Sequence, residues 1–118
     1  MTINIYVDGG GGPNSGYGFF VKETGESFYE KKPNITNNQA EYMAIIAALK
    51  KFVSTDDEIT IYSDSKNTVS QLNHVFAINN EKLKELAREA WPIIAKYAKL
   101  KITWVRRNEN LAGKMLGS

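Results

Sequence analysis

Two short stretches of this sequence end almost alike: Ile5-Tyr6-Val7-Asp8-Gly9 and Ile61-Tyr62-Ser63-Asp64-Ser65. Each is an apolar, alternating run that stops on an aspartate. If both are strands, side by side and parallel, the two aspartates reach one sheet edge in the same side-chain phase. Between them lies a helical stretch with Glu41 near its start, a third carboxylate able to reach that edge. Three clustered carboxylates repel one another and become tolerable when hard divalent cations sit among them. Oxygen-only ligands, without His or Cys, point to Mg²⁺ or Mn²⁺. A carboxylate shared by two ions about 4 Å apart suits in-line displacement at phosphorus. Gly9 to Gly12 then leave room for a phosphate backbone to approach. The bland alternatives stand beside this. A lone strand-end Asp is usually a turn or cap residue, a glycine run is usually a loop, and Glu41 alone suits a helix start. The repeated ending with an acid on the intervening helix is what adds weight to the joint reading.

The elements that must hold these residues follow from hydrophobic period. Ile3, Ile5 and Val7 alternate with Thr2, Asn4 and Tyr6, a strand. Gly16 to Glu23 and Ser27 to Lys32 read as two more, joined through a Thr24-Gly25 turn into an antiparallel meander. From Asn37 to Val53 the period becomes helical, with Tyr42, Ile45, Ile46, Leu49 and Val53 as an apolar stripe. Ala40, Ala44, Ala47 and Ala48 make its other side small, which suits packing against a second helix. Thr36 with Gln39, or Asn38 with Glu41, offers a capping box at its start. Glu58 to Asp64 is a fourth strand, Ser65 to Asn73 a short helix, and Leu83 to Tyr97 a long one interrupted by Pro92. Leu100 to Val105 is a fifth strand, and one or two helical turns close the chain. The order predicts one α/β domain over 1–118: three antiparallel strands, then two added through helical crossovers, in a five-stranded mixed sheet flanked by helices.

Composition narrows the class. The 118 residues are 42% hydrophobic, enough for one modest core, and the absence of cysteine excludes disulfides and thiolate metal sites. No signal-peptide pattern and no apolar run near a membrane span's length is present, so the expectation is a cytoplasmic protein with no membrane association. A net charge of +2 permits a polyanionic partner without requiring one. Arg106 and Arg107, like the lysine clusters, read as solvated strand ends and helix faces.

Four segments together carry a resemblance: YVDGGGGPNSGYGF, TNNQAEYMAIIAAL, IYSDSKNTVSQLN and WVRRNENLAG. In this order they are similar to the four motif regions of type 1 ribonuclease H, over almost the whole chain. The resemblance implies a ribonuclease H-like fold and cleavage of the RNA strand of RNA–DNA hybrids with two Mg²⁺ or Mn²⁺ ions, leaving 5′-phosphate and 3′-hydroxyl ends. It assigns metal binding to Asp8, Glu41 and Asp64. It assigns substrate contact to Gly9 and to Thr36, Asn37, Asn38 and Gln39, whose amides suit 2′-hydroxyls in a shallow minor groove; starting the helix is their plain alternative. Asn14, with Thr36, falls where a DNA-strand phosphate would be held, and Ser65 and Lys66 where the backbone is touched. A monomer is expected.

The sequence departs from that family in three places. Longer members carry a basic protrusion between the two middle helices; here His74 to Leu83 joins them directly. Some members have a catalytic histidine after the last strand, but His74 is the only histidine and reads as a helix-end residue. The fourth acid, usually an Asp opening the last helix, is replaced at its aligned position by Gly113. Asn110 is the expected stand-in, ligating through its neutral carbonyl, with Glu109 as the other oxygen-bearing candidate and helix capping as the alternative role. The missing acid supports a competing reading, a module that clamps a hybrid without cutting it. An aspartyl-phosphate phosphatase is disfavoured because Gly10 and Lys66 stand where a second Asp is needed. The closing Gly117-Ser118 reads equally as a cloning remnant or a native end.

Overall fold

The computed structural model describes residues 2–116, with side chains as far as Gly113; Gly117 and Ser118 lie outside the described residues. Five strands form one sheet: β1 (Thr2–Gly10), β2 (Gly16–Val21), β3 (Ser27–Lys31), β4 (Glu58–Ser63) and β5 (Leu100–Trp104). Four helices accompany them: α1 (Asn37–Phe52), α2 (Lys66–Leu72), α3 (Glu81–Ile94) and α4 (Leu111–Leu116), with a 3₁₀ turn at Arg107–Glu109. The strand order is β3-β2-β1-β4-β5. β1, β2 and β3 pair antiparallel, while β4 and β5 add in parallel, which is the mixed sheet expected.

The register between β1 and β4 decides where the aspartates go. Ile5 lies opposite Ile61 and Tyr6 opposite Tyr62, so the two similar strand endings run in step to the same edge. Alternation then gives the sheet two unlike faces. Ile5, Val7, Ile59, Ile61 and Ile102 are buried on one, in the same cluster as α1 and α3. Asn4, Tyr6 and Tyr62 are on the other: the tyrosine rings stack at 4.5 Å, and the Tyr62 hydroxyl donates to Asn4 Oδ1 at 2.7 Å.

Helix α1 starts where its sequence says. Thr36 Oγ1 accepts from Gln39 N at 3.1 Å and Gln39 Oε1 from Thr36 N at 3.0 Å, a reciprocal box that satisfies two otherwise orphaned donors. The helix is buried nearly all round, because the sheet covers one side and α3 another. The small side is used differently from the expectation. Ala40 lies against the sheet, with its carbonyl carbon 2.5 Å from where a Cβ on Gly9 would sit. Ala47 does face α3, sharing a hollow with Ile46, Leu86 and Glu89. Tyr97 lies outside α3, which ends at Ile94 just after Pro92; its hydroxyl instead donates to Leu49 O at 2.6 Å.

The glycine run also serves a different purpose from the one expected for all of it. β1 continues through Gly9 and Gly10, paired with Tyr17 and Gly16. A Cβ on Gly9 would strike Ala40, and one on Gly11 would come within 2.5 Å of Asn37 N. These two glycines let the start of α1 press onto β1. At Gly10 and Gly12 a Cβ would meet nothing within 4 Å, so there the missing side chain leaves open space, and Gly12 at φ +99° also needs glycine's backbone freedom.

Candidate active site

The contact of Ala40 with Gly9 sets the position of the next residue, Glu41, over the carboxyl end of the sheet. Asp8 arrives from β1 and Asp64 from the residue after β4. One carboxylate oxygen from each of the three lies within 4.8 Å of the others. They line a cavity of about 320 Å³. A larger hollow of about 410 Å³, walled by His74, Phe76, Arg88 and Trp91 between α2 and α3, has no carboxylate in its lining.

Glu41 is buried and held at both oxygens: Gly9 N donates to Oε1 at 3.3 Å and Ser63 Oγ to Oε2 at 3.2 Å. Its pKa is nevertheless pushed up to about 8, first by burial and then by the charges of Asp8 and Asp64, against the pull of those two hydrogen bonds. Without a counter-ion this cluster therefore keeps a proton on Glu41 at neutral pH. That crowding, together with an all-oxygen donor set, fits a hard divalent cation. Asp8, Glu41 and Asp64 are the residues able to hold it.

Asn110 is fully buried beside them, at the foot of α4. Its Nδ2 donates to Val7 O at 2.9 Å and to Asp64 Oδ2 at 3.1 Å, while its Oδ1 accepts from Ala112 N at 3.0 Å. The amide orientation follows from these partners, since a flip would set oxygen against two oxygens and NH₂ against an N–H. The carbonyl expected to ligate a cation is thus turned to the helix start, and the side chain serves both as cap and as a clamp on Asp64. Gly113 is buried in α4. Glu109 is exposed and does not line the acid cavity.

The remaining expected residues divide. Gly9, Asn37, Asn38 and Ser65 line the cavity. Asn37 Oδ1 accepts from Gly11 N at 2.6 Å, and Ser65 caps α2 by accepting from Thr68 N at 3.3 Å. Thr36 and Gln39 are occupied by the capping box outside the cavity. Lys66 is exposed with its Nζ 5.9 Å from the Trp104 ring centroid, directed along the strand ends rather than into the cavity. Asn14 is exposed in a turn closed by Ser15 N to Gly12 O at 3.1 Å; the Gly12–Ile35 bridge sets that turn beside Thr36. His74 is an exposed helix-end residue stacked on Trp91 at 4.8 Å, away from the acids.

Three contributors escaped the sequence reading. Ser63, fully buried, holds Glu41 and accepts from Ser65 N at 3.1 Å; the signal was a hydroxyl in a buried strand phase next to an acid. Arg107 lines the acid cavity; its signal was two adjacent arginines directly after the last strand. Trp104 donates through Nε1 to Asp64 O at 3.3 Å, fixing the backbone of the third acid.

The family model of RNase H matches residues 1–112. The chain belongs to the RNase H family. A putative hydrolase, EbsB, of Enterococcus faecalis is 30% identical over 122 residues, covering 97% of this chain and 90% of the relative. A ribonuclease H of Campylobacter jejuni is 31% identical over 115 residues, covering 88% of this chain and 77% of the relative. The crystal structure of LC11-RNase H1 in complex with an RNA/DNA hybrid superposes with a TM-score of 0.85 at 26% identity, covering 97% of this chain and 92% of that one. Sequence and fold together make this chain a type 1 RNase H family member and an enzyme of the hydrolase class.

Proposed function

We propose that this protein is an endoribonuclease that cleaves the RNA strand of RNA–DNA hybrids by metal-assisted hydrolysis, leaving 5′-phosphate and 3′-hydroxyl ends. The observation that carries the reading is the gathering of Asp8, Glu41 and Asp64 within 4.8 Å at the strand ends. Its support from outside is the family match and a similar enzyme whose structure includes a hybrid. Asp8, Glu41 and Asp64 would hold two Mg²⁺ or Mn²⁺ ions. When bound, such ions supply an activated water and charge stabilisation at the leaving oxygen.

The chain's own residues do the positioning. Ser63 and Gly9 N–H orient Glu41, and Asn110 and Trp104 orient Asp64. Asn37 and Asn38 offer amides at the cavity wall for 2′-hydroxyls, the groups that tell RNA from DNA. Gly10 leaves the open space a backbone needs. Thr36 and Gln39 act through the helix cap they form, Ser65 and Lys66 border the approach, and Asn14, in the turn beside Thr36, would hold the DNA strand. The protein works as a monomer on this reading. Three acids with no fourth carboxylate among the described residues also favour Mn²⁺, which binds N/O sites more tightly than Mg²⁺ and tolerates looser geometry.

The commitment of Asn110's carbonyl to Ala112 N is the one observation favouring the second reading, a domain that clamps hybrid with little cutting. A gel assay separates the two. Labelled hybrid, duplex DNA and duplex RNA are incubated with Mg²⁺, Mn²⁺ or chelator. Cleavage of the RNA strand of the hybrid alone, dependent on the cation, is expected; binding without products would establish the clamp, and cutting of duplex DNA would overturn both.

A further inference from the structure

Among the described side chains, Arg107 is the single Lys or Arg that lines the acid cavity. Its backbone is tied to the acids. The 3₁₀ turn that it opens is closed by Asn110 N donating to Arg107 O at 3.2 Å, and the Asn110 side chain reaches Asp64 and Val7 O. The residue that clamps the third acid therefore also fixes where the arginine stands. The guanidinium is exposed and in no ion pair among the described residues. Arg107 is thus held at the cavity mouth without being spent on neutralising it.

An unpaired planar fork of donors beside a cluster of anions suits a ligand that is itself anionic and extended. The cation-binding end of a phosphodiester chain would face the acids, and its next phosphate would face the arginine. We propose that Arg107 binds a non-reacting backbone phosphate of the RNA strand, adjacent to the bond that is cut, and so holds the strand in register over Asp8, Glu41 and Asp64. The proposal rests on the hybrid-cleaving reading above and deepens it. Because the contact is made equally before and during reaction, it sets binding rather than turnover.

The test compares wild type, Arg107→Ala, Arg107→Lys and Arg106→Ala; Arg106 neighbours it but does not line the cavity. KM and kcat are measured on a labelled hybrid. The slope of log Kd against log salt is measured in an Asp8→Asn background, where binding can be read without cleavage. Arg107→Ala is expected to raise KM about 10-fold with kcat within about 2-fold, and to lower the salt slope by about 1. Arg107→Lys keeps the slope and recovers part of the KM loss, since it retains charge without the fork. Arg106→Ala leaves both near wild type. Unchanged KM and slope in Arg107→Ala, an equal loss in Arg106→Ala, or a fall in kcat alone would each overturn the proposal while hybrid cleavage by wild type stood. A wild type that neither cuts nor binds hybrid would overturn the functional reading and this proposal together.

Discussion

At the residue scale the site is a balance of like charges held apart by neutral donors. Asp8→Asn and Asp64→Asn each keep size and remove a metal-binding charge. Cleavage should fall at least about 100-fold in either, with the fold retained by circular dichroism; near-normal cleavage by either would remove that aspartate from the site. Glu41 carries a pH signature. Its carboxyl lies near 8 in the folded protein against an ordinary value of 4.5, because it is buried and stands beside the charges of Asp8 and Asp64. A group with a raised folded pKa binds a proton that the unfolded chain releases. Its stabilisation is full below about 4.5 and is lost as pH rises through about 8. The metal-free protein's Tm should therefore fall across that window, and Glu41→Gln should flatten the fall. A wild-type Tm that stays level or climbs over the window in chelator would contradict the crowding. Asn110 gives a third expectation, opposite to the one its position in the sequence suggests. There, Asn110→Asp looks like restoration of a missing ligand. In the structure a carboxylate at this place meets Val7 O and Asp64, both oxygens. Without a cation it should cost about 3 kcal/mol, seen as a Tm loss in chelator that Mg²⁺ or Mn²⁺ largely restores. A variant as stable as wild type in chelator would show that Asn110 is no clamp.

At the scale of elements, the chain announced its scaffold and hid its joints. The repeated Ile-Tyr-x-Asp endings revealed the β1–β4 register because period-2 alternation leaves one phase in which both runs bury their isoleucines. The Thr36–Gln39 box was equally legible, since capping is local. What stayed hidden depends on partners distant in sequence. The glycines looked like room for substrate, yet Gly9 and Gly11 make room for α1; of the run, only Gly10 and Gly12 face open space. The amide of Asn110 reads as a ligand until β1 and Asp64 are set beside it. Ser63 and Arg107 carry no local signal that separates them from any strand serine or surface arginine. The glycine assignment can be checked directly. Gly9→Ala forces a methyl into the Ala40 carbonyl and should lower stability by about 2–3 kcal/mol in urea unfolding, displacing Glu41 and activity with it. Gly10→Ala should leave stability within about 0.5 kcal/mol, apart from strand propensity, and instead weaken hybrid binding. Equal stability losses at the two positions would mean that α1 does not dock as closely as it does here.

At the scale of the whole molecule, the question is how so small a protein grips a polyanion. Net charge is only +2, and the segment from His74 to Asn80 joins α2 to α3 without a basic protrusion. Among the described residues the positive side chains nearest the acids are few: Arg107 at the cavity and Lys66 over Trp104. Lys84 and Arg88 wall the separate hollow between α2 and α3, where Lys84 is already 3.3 Å from Glu81. Lys50 and Lys51 are likewise engaged, with Glu89 at 2.7 Å and Glu26 at 3.6 Å. Counterion release makes the salt dependence of binding a count of phosphates neutralised, at about 0.9 per phosphate on duplex DNA, taken here as a guide for a hybrid. A footprint confined to the acid cavity and its immediate rim neutralises roughly three to five phosphates, for a log–log slope of about −2.7 to −4.5. Fluorescence anisotropy with a labelled hybrid, titrated over a range of KCl, measures it. A slope near −10, as for a large repressor, would mean that the hollow between α2 and α3 or another lysine-bearing face also tracks the backbone, so that grip is spread over the molecule rather than gathered at the chemistry.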